Sequence, residues 1–150
     1  MATWQEFETQ APELAAVARR LMDARRHKVL ATLRKDGSPR VSGIETSFRD
    51  GELLTGSMPG AVKVLDLRRD PRMALHVTSA DPEGDDPSAW EGDLKVAGRA
   101  VEMPDAQMPE AGSHLFRIEV TEVVWTRVRG DELVIDTWHE GAGVRQIRRK

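Results

Sequence analysis

The sequence predicts a mainly β fold: an antiparallel barrel opened by a helix and carrying one short helix between its third and fourth strands. Three observations lead there. Short alternating runs are separated by Asp36-Gly37 and Asp50-Gly51, and an Asp-Gly pair between such runs is the strongest short-range hairpin signal. Helical spacing of apolar residues occurs only at the N-terminus and over residues 61–69, so strands do not alternate with helices as a parallel sheet would require. The stretch HLFRIEVTEVVWTRV, starting at His114, alternates well, with Leu115, Ile118, Val120 and Val123 among polar neighbours.

Each element has its own signal. Thr3 and Glu6 stand at capping-box spacing, Pro12 can open a second helical segment, and Leu14, Val17, Ala18, Leu21 and Met22 form an apolar stripe. HKVLATLR, PRVSGIETSF and ELLTGS then make a three-stranded meander through the two Asp-Gly turns. From Ala61 to Arg69, Val62 with Leu65 and Val64 with Leu67 fall at helical offsets, and Asp70-Pro71 ends the helix because a residue before proline avoids helical angles. Strand returns over Arg72 to Ser79. ADPEGDDPSAWEG is an acidic surface loop, DLKVAGRAVEM a long strand and PDAQMPEAGS a second loop. After the His114 strand, RGDE turns the chain into LVIDTW, giving six or seven strands in all with no internal repeat.

At 150 residues the chain is expected to form one domain, 1–150, and a domain of this size buries roughly 68–70% of its unfolded surface. A net charge of -3 lacks the basic bias that phosphate-backbone binding demands, so nucleic acid is not an expected partner. The absence of cysteine excludes disulfides, thiolate metal sites and cysteine nucleophiles. MATWQEFETQAPELAAVARR has neither the basic start nor the apolar run of a signal peptide, and no stretch approaches the ~18 apolar residues of a membrane span. A cytoplasmic protein without membrane contact is expected.

Candidate chemistry begins at GSMPGAVKVL. Lys63 stands in the first turn of a helix, where the helix dipole favours negative charge. An anion held between the exposed amides of that turn and the lysine explains its position, with Ser57 and the Met58-Pro59-Gly60 turn alongside; a solvated surface lysine reads the same way. Arg40 and Ser42 share one face of a strand and could approach the same end of the sheet as Ser57, although alternating polar residues on an open sheet face look identical. Near the C-terminus, Trp138 could cover a flat ring and Arg145 or Arg148 could meet an anion or a partner subunit; a core tryptophan and a solvated basic tail are the plainer readings. His27, His76, His114 and His139 are scattered without metal-ligand spacing, so no metal is expected. No nucleophile elbow, phosphate-binding Walker loop or dinucleotide fingerprint occurs, which leaves redox or transfer chemistry to a bound cofactor.

Taken together, D-G-x-P-R from Asp36, then Asp50-Gly51, then K-x-x-x-L-R-R-D-P-R from Lys63 to Arg72 resemble the pyridoxamine 5'-phosphate oxidase-like family of flavin-binding split barrels, over about His27 to Val101. The resemblance implies a six-stranded antiparallel split barrel. It also implies a homodimer with flavin mononucleotide (FMN), or alternatively a deazaflavin coenzyme, in a groove between subunits. Carried over by position, Arg40, Val41, Ser42 and Gly43 correspond to the second-strand segment that faces the cofactor. Ser57 and Met58 correspond to the third-strand end beside ring and phosphate, Lys63 and Val64 to the phosphate-binding helix start, and Trp90 to an aromatic beside the ring. The closing signature of the true oxidases, Trp, Gly, then Arg-Leu-His-Asp-Arg, is altered. Here it reads Trp138, Gly141, Arg145, Gln146, Ile147, Arg148, Arg149, with Ile147 where the substrate histidine would stand and no tyrosine anywhere. Vitamin B6 oxidation is therefore not expected.

The expected function is an FMN-binding oxidoreductase passing hydride to or from a small planar substrate. The alternatives are a deazaflavin-dependent reductase and a non-catalytic flavin- or haem-binding protein. No catalytic residue is assigned.

Overall fold

A computed structural model of the protein describes residues 2–104, 108 and 110–150. Helices α1 (Trp4–Gln10) and α2 (Pro12–Ala24) precede strands β1 (His27–Leu33), β2 (Pro39–Arg49) and β3 (Glu52–Ser57). Helix α3 (Val62–Arg69) follows, then β4 (Arg72–Thr78), a 3-10 turn (Pro87–Ala89), β5 (Asp93–Glu102), β6 (His114–Arg129), β7 (Glu132–His139) and β8 (Gly143–Arg149). Every pairing is antiparallel, in the order β3-β2-β1-β4-β5-β6-β7-β8, and a further β3–β6 pairing closes six of the strands into a barrel. Strand β6 makes this possible by its length. Residues 114–118 pair with β3 and 122–129 pair with β7, so β7 and β8 continue the sheet beyond the barrel.

The hairpin turns form as the Asp-Gly pairs predict, with Asp50 at φ 54° and Gly51 at φ 76°, the positive angles a tight primed turn requires. Thr3 and Glu6 form the capping box: the Thr3 hydroxyl accepts from the Glu6 amide at 3.1 Å and the Glu6 carboxylate accepts from the Thr3 amide at 3.2 Å. The two N-terminal helices press their apolar face onto the sheet. Phe7 lies 4.9 Å from both Trp4 and Trp138, ring centre to ring centre, and all three are buried. The sequence count of six or seven strands falls short because residues 143–149 form an eighth. This strand is exposed along its whole length and is held by its ladder with β7, so it lacks the alternating burial that marks a strand in sequence. Within the expected loop at 104–113, residues 105–107 and 109 lie outside the described residues.

The feature that positions the site is a parting of strands. β2 pairs with β3 only from Thr46 to Arg49, whereas from Pro39 to Glu45 its partner is β1. β3 meanwhile runs on beside β6 to Ser57. A gap opens between β2 and β3, and α3 is set across its mouth.

Candidate functional site

The chain leaves β3 through a turn in which the Ala61 amide donates to the Met58 carbonyl at 3.3 Å. Pro59 and Gly60, the latter at φ 76°, occupy the two central positions as a type II turn requires. α3 then begins with no side chain capping it among the described residues; the Val64 amide donates to the Ala61 carbonyl at 3.2 Å, and the Val62 and Lys63 amides keep their hydrogen-bonding capacity. Below lies a cleft of about 670 Å³, within the range of small-molecule sites, lined by Gly43 to Ser47 of β2, Leu54, Gly56 and Ser57 of β3, Met58, Ala61, Lys63, His27, Met108 and Ser113. Lys63 reaches across the parting strands, its ammonium donating to the Gly43 carbonyl at 3.4 Å, a long and replaceable contact. Ser57 is 7% exposed and its hydroxyl has no hydrogen-bond partner among the described residues. A buried hydroxyl without a partner costs free energy unless something supplies one.

Four of the residues the sequence assigns to the cofactor therefore line one cleft: Gly43, Ser57, Met58 and Lys63. The others do not line it. Val41 points outward and is 68% exposed, Ser42 is half-buried, and Val64 is buried in the core on the inner face of α3. Trp90 is half-buried in the loop after the 3-10 turn. Trp138 is fully buried against Phe7, the placement of a core anchor.

Arg40 is held elsewhere by a residue the sequence reading missed. Asp66 on α3, 1% exposed, accepts from Arg40 Nε at 2.7 Å and from the Thr32 hydroxyl at 2.8 Å, with an Arg69 guanidinium nitrogen 3.5 Å away. Burial alone would raise this carboxyl, but hydrogen bonds from Arg40 and Thr32 and the charges of Arg40 and Arg69 outweigh it and hold the group ionised below its ordinary range. The only sequence signal was an acid between two leucines, Leu65 and Leu67, inside a short helix. At the C-terminal half of α3, Arg68 grips Glu102 through two bonds of 2.8 and 2.9 Å, and His114 Nδ1 lies 3.0 Å from the same carboxylate. The Arg68 bonds, opposed by burial and joined by His114, hold Glu102 at about 2. Among the described residues no group of three or more acidic or histidine side chains is placed to hold a metal, and no helix is long and apolar enough to cross a membrane.

A closed antiparallel barrel with strands parted under a short helix, and a basic group and a buried hydroxyl on the resulting cleft, defines a split barrel with one candidate site beneath α3. The family model described as pyridoxamine 5'-phosphate oxidase matches residues 14–140, and the chain belongs to that family. Solved structures share the fold. A pyridoxamine 5'-phosphate oxidase-related, FMN-binding protein from Nostoc punctiforme is 10% identical, covering 93% of this chain and 96% of its own, with a TM-score of 0.67. A heme-binding protein from Mycobacterium smegmatis is 15% identical over 91% of this chain and 88% of its own, with a TM-score of 0.62. An F420 reductase is 19% identical over 70% of this chain and 94% of its own, with a TM-score of 0.55. No curated protein matches the chain by sequence.

Proposed function

We propose that the protein is an oxidoreductase that holds FMN in the cleft under α3, with the phosphate between Lys63, the Ser57 hydroxyl and the Val62 and Lys63 amides opening the helix. The observation that carries this reading is the buried, unpartnered Ser57 hydroxyl on the same cleft as Lys63. That donor set suits a phosphate: one point charge, one hydroxyl and a helix start. Lys63 then gives up its 3.4 Å contact with Gly43 for a charge-assisted one. Met58, exposed at the rim, supplies a soft apolar surface for a flat ring. When bound, the flavin supplies hydride transfer, and the chain's share is to grip the phosphate, orient the ring and exclude water.

A second copy of the chain completes the proposal. On the outer sheet face, Val41, Ala31, Ala74 and Ala97 stand in one cross-strand row, and Val29, also exposed, pairs with Gly43 at the cleft. Such a row of small apolar residues is suited to burial against an identical face across a two-fold axis, which would set the cofactor at the subunit boundary.

Titration of the purified protein with FMN and, separately, with a deazaflavin coenzyme, followed by visible absorbance, tests the site. FMN is expected to bind at least tenfold more weakly to Lys63→Ala, the loss that one charge-assisted hydrogen bond of roughly 1.5–3 kcal/mol implies. Sedimentation of the same samples is expected to give twice the mass of one chain. Equal binding by Lys63→Ala, or binding of neither coenzyme, overturns the phosphate site, and binding of the deazaflavin alone moves the protein to the deazaflavin-dependent reading.

A further inference from the structure

A second cleft, of about 620 Å³, runs along another face of α3 and shares no lining residue with the first. Its helix wall is Val62, Leu65, Asp66 and Arg69, spaced i, i+3, i+4 and i+7 and therefore one face of the helix. Its opposite wall is Arg40 and the β1–β2 turn, Arg34 to Asp36. In a chain of net charge -3, this cleft gathers four cationic side chains against two carboxylates. Asp66 is engaged by Arg40, Thr32 and Arg69, and Asp36 accepts from the Ser38 hydroxyl and amide at 2.6 and 2.9 Å while its charge offsets part of that of Arg34, so the cleft keeps a cationic excess of two.

Two kinds of group remain uncommitted. Arg40 spends its Nε on Asp66, and its two terminal nitrogens make no hydrogen bond among the described residues, leaving a guanidinium fork fixed in place by a buried carboxylate. Arg34 and Lys35 make no side-chain hydrogen bond or ion pair among the described residues. Beside these cations, Val62 and Leu65 are 51% and 56% exposed, although the helix buries its other apolar pair, Val64 and Leu67, in the core. An inorganic anion would leave that apolar wall wet, and an uncharged apolar ligand would leave the fork unused.

We propose that this cleft binds an amphiphilic anion, a carboxylate or phosphate monoester on a short apolar chain, with the head group on Arg40, Arg34 and Lys35 and the apolar body along Val62 and Leu65. Octyl phosphate, octanoate and inorganic phosphate serve as probes in calorimetric titration of the full chain. Octyl phosphate or octanoate is expected to bind at least tenfold more tightly than inorganic phosphate, and the tighter of the two identifies the head group. Arg34→Ala combined with Lys35→Ala, both exposed, is expected to weaken that binding at least tenfold, as is Leu65→Asp, while Lys63→Ala and prior saturation with FMN leave it unchanged. Binding that is indifferent to both the double variant and Leu65→Asp overturns the proposal. Displacement by FMN overturns it as well, since the cleft would then be an extension of the cofactor site. So would a fall to monomer mass in Leu65→Asp, which would make this face a contact between copies of the chain.

Discussion

Removing the Asp66 carboxylate tests the structural centre of this half of the molecule. Asp66→Ala leaves the Thr32 hydroxyl, itself only 2% exposed, without its acceptor, and strips Arg40 of its 2.7 Å partner. Breaking a fully buried ion pair from one side costs about 3–5 kcal/mol, but the Arg40 side chain is 27% exposed and can turn to water, which places the expected cost near the lower end, about 3 kcal/mol. At roughly 2–4 °C per kcal/mol for a chain of this length, the melting temperature falls by roughly 6–12 °C. Asp66→Asn keeps an acceptor for Thr32 and Arg40 and should cost about half as much, because it removes charge but not hydrogen bonding. Adding Thr32→Val to Asp66→Ala recovers about 1 kcal/mol, since the orphaned hydroxyl is then gone. Urea denaturation followed by tryptophan fluorescence measures the free-energy losses, and thermal unfolding measures the melting temperature. A loss below about 1 kcal/mol for Asp66→Ala, or equal losses for the alanine and asparagine variants, would refute the account of Asp66 as the group that clamps α3 to β1 and β2.

Two further outcomes follow from other parts of the fold. Gly98 sits at the register shift between β5 and β6, and a Cβ there would lie 1.9 Å from the Glu119 carbonyl oxygen, so Gly98→Ala should lose more than about 4 kcal/mol or fail to accumulate as soluble protein, whereas Gly43→Ala, with open space around it, should fold normally; similar melting curves for the two would contradict the close approach. Glu102 is held at about 2, below its ordinary 4.5, so its contribution to stability is complete above about pH 4.5 and is lost as pH falls toward 2; the stability difference between the wild type and Glu102→Gln should shrink over that interval, and a difference that stays constant from pH 6 to pH 2 contradicts the assignment.

Most of the barrel was legible in the sequence because its signals are local. Asp-Gly turns, alternating runs and a proline stop each act over a few residues, and the structure realises every one. What escaped depends on partners distant in sequence. β8 is a strand because β7 lies beside it, and no residue of β8 buries a side chain. Trp138 was equally readable as a ring cover or a core anchor, and the choice was made by Phe7, 131 positions earlier, on a helix that must first fold back over the sheet. Lys63 needed no such help. Its place in the first helical turn follows from the turn chemistry of Pro59-Gly60 immediately before it, which is why the sequence could set it beside Ser57.

The fate of Arg40 explains why half of the candidate site was not legible. Strand alternation correctly puts Arg40, Ser42 and Ile44 on one face of β2, and the same reasoning brings that face toward α3. It cannot decide which face of α3 the arginine meets. Asp66 decides it: a carboxylate buried to 1% exposure is tolerable only with cations and donors gathered around it, so the helix is anchored over Thr32 and Arg40 by that requirement. Once anchored, α3 divides the basic residues between two clefts, Lys63 to one and Arg40, Arg69, Arg34 and Lys35 to the other. The helix that makes the first cleft also makes the second, and a single buried acid fixes the orientation of both.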